Sequence, residues 1–109
     1  MVMPEMYGSL ISKATGVKDF ADPAYLWLVG ERIFNLERMF NVREGFSKKD
    51  DAFPKRITAE TMPSGTSVGQ VFEAEELLKD YYQARGWNAN GIPTAAKLKE
   101  LGLGFTSSK

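Results

Sequence analysis

The sequence has 109 residues, with fourteen basic and fourteen acidic side chains and 43% hydrophobic residues. This length allows one domain, and the balanced charge excludes a general attraction to nucleic acid or anionic membranes. There is no transmembrane-length apolar run and no signal-peptide pattern, so a cytoplasmic location is expected. The sequence contains no cysteine and no histidine, which excludes disulfides, thiolate metal sites and the commonest general base within it.

Two helices are predicted in the first half of the chain. Apolar residues at helical spacing begin at Met3 and end before Gly16, which supplies a left-handed stop. A longer pattern of about twenty residues starts at Asp22, which caps free amide groups, and at Pro23, which suits a first helical position. Gly45 ends this long helix. Its apolar stripe, typical of a side that faces a core, consists of Leu26, Val29, Ile33, Leu36 and Phe40.

The second half contains two more predicted helices. Acidic and apolar residues over 73–86 predict the third helix, and Thr94 is expected to cap a short fourth helix that ends at Gly102. No stretch alternates convincingly at period two. The predicted fold class is therefore all-α, a small helical domain of about four helices with one long irregular connection.

The long connection over residues 47–71 contains prolines, glycines and hydroxyl residues without periodicity. Such a connection is unusual in a small domain, and its apolar residues argue against full disorder. A strap pinned to a surface is favoured over a functional loop or a linker, with Phe53, Ile57, Met62, Val68 and Phe72 as the pinning side chains. The predicted domain, 1–109, thus comprises a helical hairpin over 1–46, the strap, and C-terminal helices over 72–104.

The long helix carries the charged residues Glu31, Arg32, Glu37, Arg38, Arg43 and Glu44. Metal or acid–base chemistry needs two converging carboxylates, and Glu37 and Glu44 are two turns apart, so ordinary solvated or paired helix charges are the preferred interpretation. Arg32 and Asn35 lie one turn apart beside the apolar stripe. We predict that they hold local structure, by bonding backbone carbonyls of the strap, and do not bind substrate. Gly30 lies inside the predicted helix, where glycine is unfavourable, so we expect another backbone to pack closely against it.

Other candidate sites are weaker. The basic pairs at 48–49 and 55–56 resemble a nucleic-acid patch, but adjacent aspartates cancel the first pair and no aromatic or glycine-rich cradle accompanies them. The aspartates at 50–51 lack the several separate oxygens of a magnesium site. Core packing explains an aromatic cluster better than a ligand box does; its residues are Tyr81, Tyr82 and Trp87. No catalytic, cofactor-binding or metal-binding residue is predicted.

Three blocks of the sequence go beyond general helical patterning. Residues 30–46 read GERIFNLERMFNVREGF, which resembles GERIWNLERLFNVREGF of the tungsten-containing aldehyde:ferredoxin oxidoreductase family. Residues 49–56 are similar to KDDTLPKR of that family, and residues 81–94 to its YYELRGWDENGIPT. The resemblance runs in order from Leu10 to Leu103, and it identifies the chain with the C-terminal helical part of these enzymes.

The resemblance implies a parent enzyme that oxidises aldehydes to carboxylic acids and passes electrons to ferredoxin. It implies for that parent a tungsten or molybdenum bis-pterin centre and a four-iron four-sulfur cluster, held by upstream motifs without matching positions here. The expected role is structural and channel-shaping, inactive alone, with the domain organised internally by Arg32, Asn35, Arg38 and Arg43. The alternatives are a stand-alone helical interaction module and a small subunit that docks on a separately encoded catalytic chain.

The expected partners are missing or separately encoded N-terminal cofactor domains and, for the parent enzyme, ferredoxin; nucleic acid and membranes are not expected. The chain itself is predicted to hold no tungsten, molybdenum, iron or pterin. Trp27 and Phe34 lie off the main stripe of the long helix. They are expected to be exposed, or buried in a homodimer, with Tyr25, Met39 and Phe53 near them.

Overall fold

The computed structural model describes residues 3–107, which form helices and turns and no extended strand. The α-helices of this range are α1 Pro4–Thr15, α2 Pro23–Arg43, α3 Lys55–Ala59, α4 Ala74–Arg85 and α5 Ala95–Glu100. Short 3₁₀ turns are formed by Lys18–Ala21, Lys48–Asp50 and Gly104–Ser107. The all-α prediction is confirmed. The first two residues of the predicted 1–46 segment and the last two of the predicted 1–109 domain lie outside the described residues.

The ends of α2 are formed as the sequence predicts. The Asp22 carboxylate accepts a hydrogen bond of 2.9 Å from the Ala24 amide, with Pro23 at the first helical position. At the other end Gly45 has a φ of +95°, and the Phe46 amide donates to the Asn41 carbonyl at 3.0 Å. These bonds satisfy amide and carbonyl groups that a helix terminus otherwise leaves without partners.

The first helix crosses the N-terminal part of α2, and a glycine makes the close approach possible. Gly8 of α1 is buried. A Cβ atom at this position would lie 2.2 Å from the Phe20 carbonyl oxygen and 3.0 Å from Leu26 Cδ1. The Phe20 and Tyr25 rings pack edge to face beside this crossing, with centroids 5.2 Å apart. The absence of a side chain at Gly8 therefore allows α1, the 3₁₀ turn and α2 to meet.

The small core lies between α2 and the C-terminal segment. Leu98, Leu101 and Leu103 are buried together, and the partly buried Leu28 and Met39 of α2 pack against them. The Thr94 hydroxyl accepts from the Lys97 amide at 3.2 Å, as predicted for the cap of α5. The C-terminal segment therefore packs on the side of α2 that carries Leu28, Asn35 and Met39.

The predicted apolar stripe of α2 does not form the core. Ile33, Leu36 and Phe40 are 54%, 44% and 64% exposed, and only the N-terminal end of the stripe, near Leu26, is covered by α1. Periodicity identifies the apolar side of a helix, but not whether the surface that covers it belongs to the same chain. The expectation for Gly30 is also wrong within the described residues, because no atom lies within 4 Å of a Cβ built there.

The long connection is not pinned to the rest of the described chain by its apolar side chains. It contains α3, which follows Pro54 and is too short for a helical period to be visible in the sequence. All five predicted pinning residues are exposed, and among them Phe53 and Phe72 contact each other with ring centroids 4.9 Å apart. The start of the connection is attached by polar bonds instead, for example from the Lys48 amide to the Asn90 carbonyl at 2.9 Å.

Trp27 and Phe34 are 68% and 39% exposed, as the prediction of an uncovered surface requires. Phe34 nevertheless has neighbours in the chain. The Phe34 ring stacks on Trp87 at a centroid distance of 6.0 Å. The Arg85 guanidinium lies 4.1 Å from the centroid of the same Phe34 ring. Met39 belongs to the core described above, so the aromatic and apolar residues named together in the sequence do not form one patch.

The chain is spread out for its length. Its radius of gyration is 18.3 Å, whereas a compact domain of this length has a value of about 13 Å. The principal extents are 53 × 40 × 20 Å, which describe a flat body. No helix within residues 3–107 combines the length and the apolar character needed to cross a membrane.

Candidate functional site

A cavity of about 400 Å³ opens between α2, the start of the connection and α4. Its polar side chains are contributed by segments that are far apart in the sequence. Arg38 comes from α2, Asp51 from the connection, Tyr82 from α4 and Trp87 from the turn that follows α4. This cavity is the best candidate for a functional site.

Asp51 is the centre of the polar contacts. The Arg38 guanidinium binds its carboxylate with two nitrogens, of which Nη1 donates to Oδ1 at 2.9 Å, and the Tyr82 hydroxyl donates to Oδ2. Arg38 Nε donates in addition to the Gly91 carbonyl at 2.8 Å. A bidentate arginine–carboxylate pair fixes orientation as well as distance. These bonds hold α2, the connection, α4 and the Gly91 turn in one arrangement.

The turn at Gly91 is built to fit these side chains. Gly91 has a φ of +71°, which side-chain-bearing residues rarely adopt. A Cβ atom there would lie 2.5 Å from Arg38 Nη2 and 2.8 Å from the Tyr82 ring. Both the backbone conformation and the space therefore require glycine at this position.

The environment sets the protonation states of the cavity. The hydrogen bond from Arg38 is the largest cause that holds the pKa of Asp51 below its usual 3.8, with the Tyr82 bond acting in the same direction. Burial, followed by the bond to Asp51, raises the pKa of Tyr82 to about 12. At neutral pH the carboxylate is thus ionised and the phenol protonated.

A second pair of polar groups is buried beside the cavity. Asn35 is 0% exposed; its amide nitrogen donates to the Glu31 carbonyl and its oxygen accepts from Trp87 Nε1, both at 2.8 Å. The Arg38 guanidinium lies 4.8 Å from the centroid of the Trp87 ring. Every buried side-chain nitrogen and oxygen in residues 3–107 has a hydrogen-bond partner. The bond between Asn35 and Trp87 joins α2 to the turn after α4.

Arg32 and Asn35 bond different partners from those predicted. Arg32 Nε donates to the Leu101 carbonyl at 3.0 Å, and Asn35 bonds Trp87, so neither contacts a carbonyl of the 47–71 connection. The reason is that this side of α2 packs on the C-terminal residues, and the Leu101 carbonyl lies within hydrogen-bonding distance of Arg32. Glu31 is paired with Arg85 of α4 at 2.9 Å and with Lys97 of α5 at 3.5 Å.

The remaining candidates are surface features. Glu37 and Arg43 of α2 are exposed, and so is Glu44, which follows the helix. In the connection Lys48 pairs with Glu75 at 2.7 Å, Asp50 bonds the Ser47 amide within its own turn, and Arg56 pairs with Glu60 at 3.5 Å. No group of three metal-ligating side chains occurs in the described part of the chain.

The prediction of core packing for the aromatic cluster holds for Tyr82 and Trp87, which are 4% and 7% exposed, while Tyr81 is on the surface. Sequence reasoning missed the role of Asp51. No local pattern marks it, because its partners lie 13 and 31 residues away. The sequence shows opposite charges on the long helix and in the connection, but it does not specify which of them pair.

The fold and this network describe an all-α domain whose buried polar groups hold its own segments together. A family model described as aldehyde ferredoxin oxidoreductase, domains 2 & 3, matches residues 1–103. The chain therefore belongs to the aldehyde ferredoxin oxidoreductase family, as the resemblance of its sequence blocks predicted.

The chain is similar to curated proteins that are much longer. It is 44% identical over 98 residues to the tungsten-containing aldehyde ferredoxin oxidoreductase of Pyrococcus abyssi and 42% identical to that of Pyrococcus furiosus; each match covers 89% of this chain and 16% of the relative. An aliphatic sulfonate oxidoreductase, WOR-like subunit, of Pyrococcus furiosus is 35% identical over 88 residues, which is 72% of this chain and 14% of that protein. The chain spans about one sixth of the length of the first two relatives.

A solved structure contains the same fold. The active site complex BamBC of benzoyl coenzyme A reductase, in complex with 1,5-dienoyl-CoA, matches with a TM-score of 0.76 and 30% identity. The match covers 96% of this chain and 14% of that chain. The arrangement of helices seen here therefore recurs inside a considerably larger polypeptide.

Proposed function

We propose that this chain is the C-terminal structural and channel-shaping domain of a tungsten-dependent aldehyde:ferredoxin oxidoreductase and has no activity alone. In this proposal the assembled enzyme oxidises an aldehyde to a carboxylate, passes electrons to ferredoxin and works in the cytoplasm. The observation that carries it is the polar network of the cavity. The polar side chains of this network bond one another and nearby backbone groups; they are Arg38, Asp51, Tyr82, Asn35 and Trp87.

A catalytic role would require a different arrangement. A carboxylate that acts as a general base needs a free oxygen within reach of substrate and a pKa near the working pH. Asp51 is held by two donors and its pKa is lowered. The network instead fixes the position of one wall, formed by α2, relative to α4 and the C-terminal turn. A rigid wall of this kind is what a domain that shapes a channel provides.

The residues of this chain do not fit the cofactors of the proposed parent enzyme. Iron–sulfur clusters are held by thiolates, and the sequence has no cysteine. The acidic side chains of the described residues do not gather in threes around a common point. We therefore assign the tungsten or molybdenum bis-pterin centre and the four-iron four-sulfur cluster to upstream domains, and no reaction step to the side chains described here.

The proposal is tested by replacing the matched segment of a relative. The Pyrococcus abyssi enzyme would be produced without the matching 98-residue segment, and again with this chain in its place, and aldehyde-dependent reduction of ferredoxin would be measured. We expect no activity from the deletion or from the isolated chain, and recovered activity in the chimera.

Two variants sharpen this experiment. Arg38→Gln in the chimera should reduce the recovered activity, because it breaks the bidentate pair, whereas Arg56→Gln removes a surface charge and should not. Aldehyde oxidation by the isolated chain, or a chimera no more active than the deletion, would contradict the proposal. The second outcome would favour the stand-alone interaction module.

A further inference from the structure

The exposed part of the apolar stripe of α2 is defined here as the α2 stripe: Ile33, Leu36 and Phe40. These residues are spaced by three and four positions, so they lie on one side of the helix. Their exposed fractions are 54%, 44% and 64%. A shallow groove of about 480 Å³ runs beside them, lined by Leu36, Phe40, Glu37 and Asn41. Monomeric proteins rarely leave contiguous apolar surface of this kind uncovered.

The described chain has no element that covers the α2 stripe. The first helix reaches only the N-terminal end of α2, where Gly8 meets Leu26. The C-terminal segment packs on the side that carries Leu28 and Met39. Residues 59–73, which lead from the end of α3 to the start of α4, are all exposed. The α2 stripe therefore continues the apolar side of α2 whose N-terminal end already packs against α1.

The comparisons indicate what covers it. The matched segment makes up 16% of each of two relatives and 14% of a solved chain in which the same fold occurs. Most of those polypeptides lie outside the segment and are available to pack on it. The radius of gyration of 18.3 Å fits a layer that completes a larger body more closely than a free-standing domain.

We propose that the α2 stripe is the surface on which the upstream part of the same enzyme docks, through an apolar face of its own. This inference rests on the proposed function and specifies the contact that joins the two parts. A second copy of the chain is the rival occupant. The upstream part is favoured over it, because in the relatives the matching segment belongs to one much longer polypeptide, and a tethered partner has a far higher effective concentration than a free one.

The experiment uses the isolated chain and the active chimera with the Pyrococcus abyssi enzyme. Each would carry the double substitution Leu36→Asp/Phe40→Asp, and melting temperature would be measured in both. The isolated chain should keep its helix content by circular dichroism and lose little stability, because both side chains already face water. The chimera should lose about 5 °C or more and most of its activity, because two carboxylates would be buried in an apolar interface.

Two further substitutions serve as controls. Val68→Asp places a carboxylate at a 58%-exposed apolar position of the connection and should leave the chimera unchanged. Trp27→Asp tests the other exposed face of α2 and should have a smaller effect than the double substitution. A larger effect of Trp27→Asp would overturn the inference. If the isolated chain unfolds with the aspartates, Leu36→Ala/Phe40→Ala replaces them, with the same contrast expected at smaller size.

The outcomes separate the two proposals. An inactive chimera with the unmodified chain contradicts the proposed function. An active chimera whose melting temperature is unaffected by the double substitution overturns the docking inference and leaves the proposed function intact. A stable dimer of the isolated chain that the double substitution dissociates, with no effect on the chimera, would identify a second copy as the occupant and would also overturn it.

Discussion

Asp51 shows how one side chain can hold together segments that are remote in sequence. Its carboxylate receives hydrogen bonds from Arg38 of α2 and from Tyr82 of α4. A partly buried charge is expensive unless its lone pairs are used, and removal of one partner leaves the other charge uncompensated. The contribution of this network to stability therefore depends on all of its members, and it can be measured by single substitutions.

Asp51→Asn should destabilise the isolated chain by about 1–3 kcal/mol at pH 7, because the arginine and the phenol lose a charged acceptor. The lowered pKa of Asp51 adds a pH dependence. The stability that it contributes is complete above the usual value of 3.8 and is lost as the pH falls through the lower folded-state pKa. Urea unfolding between pH 7 and pH 2 should show this acid loss in the wild type and a smaller one in the variant.

Asp50→Asn is the matched control, since that carboxylate is exposed and bonds only within its own turn. It should change stability by about 0.5 kcal/mol or less and keep the acid dependence of the wild type. Equal effects of the two substitutions would show that the Asp51 pairs contribute nothing beyond ordinary surface charge.

Asn35→Leu tests the buried pair with Trp87. The substitution preserves approximate volume but leaves the indole N–H without its acceptor, so unfolding free energy should fall by about 1–3 kcal/mol. Trp87→Phe removes the donor from the other side. The double variant should be less destabilised than the sum of the single variants, with a coupling of about 0.5–3 kcal/mol in urea unfolding. Strict additivity would mean that the 2.8 Å bond is not energetically significant.

At the scale of elements, the parts encoded locally could be predicted from the sequence. The cap at Asp22, the glycine stop of α2 and the cap at Thr94 are interactions between near neighbours, and all were identified. What could not be predicted is which side of a helix meets which segment, since that depends on partners elsewhere. The assignment of Arg32 to the connection was wrong for this reason, and the role of Asp51 was missed for the same one.

Two glycines of the helices should respond to alanine in opposite directions. Gly8→Ala places a Cβ 2.2 Å from the backbone oxygen of Phe20, which must move, so α1 should separate from α2 at a cost of about 1–3 kcal/mol. Gly30→Ala meets no atom within 4 Å and should stabilise the isolated chain by up to about 1 kcal/mol through helix propensity. Thermal unfolding of both variants checks the prediction. Stabilisation by Gly8→Ala would show that the crossing of α1 and α2 is not close.

At the scale of the whole molecule, the buried hydrophobic core is small compared with the apolar surface that is exposed. The buried hydrophobic cluster consists of Leu98, Leu101 and Leu103, while many large apolar side chains, including most of the outer side of α1, are exposed. The exposed large apolar residues of this region are Met6, Tyr7 and Leu10 of α1 and Met3, which precedes the helix. Polar networks fix the geometry of the chain, but hydrophobic burial is the main source of folding free energy. If the upstream part docks as we propose, its surfaces would therefore supply much of the stability of this fold.

The isolated chain should accordingly unfold with weak cooperativity. A compact domain of this length has a heat-capacity change of unfolding of about 1.3–1.6 kcal/mol/K, since the change scales with the apolar surface that becomes exposed. We expect a clearly smaller value, and a urea m-value below about 1 kcal/mol/M, because less surface is buried to begin with. Calorimetry and urea titration provide both quantities, and sedimentation at the same concentrations identifies the monomer to which they apply. A monomer with the heat-capacity change and m-value of a compact domain would mean that the exposed faces of α1 and α2 fold against the rest of the chain in solution, and that no upstream partner is needed to complete it.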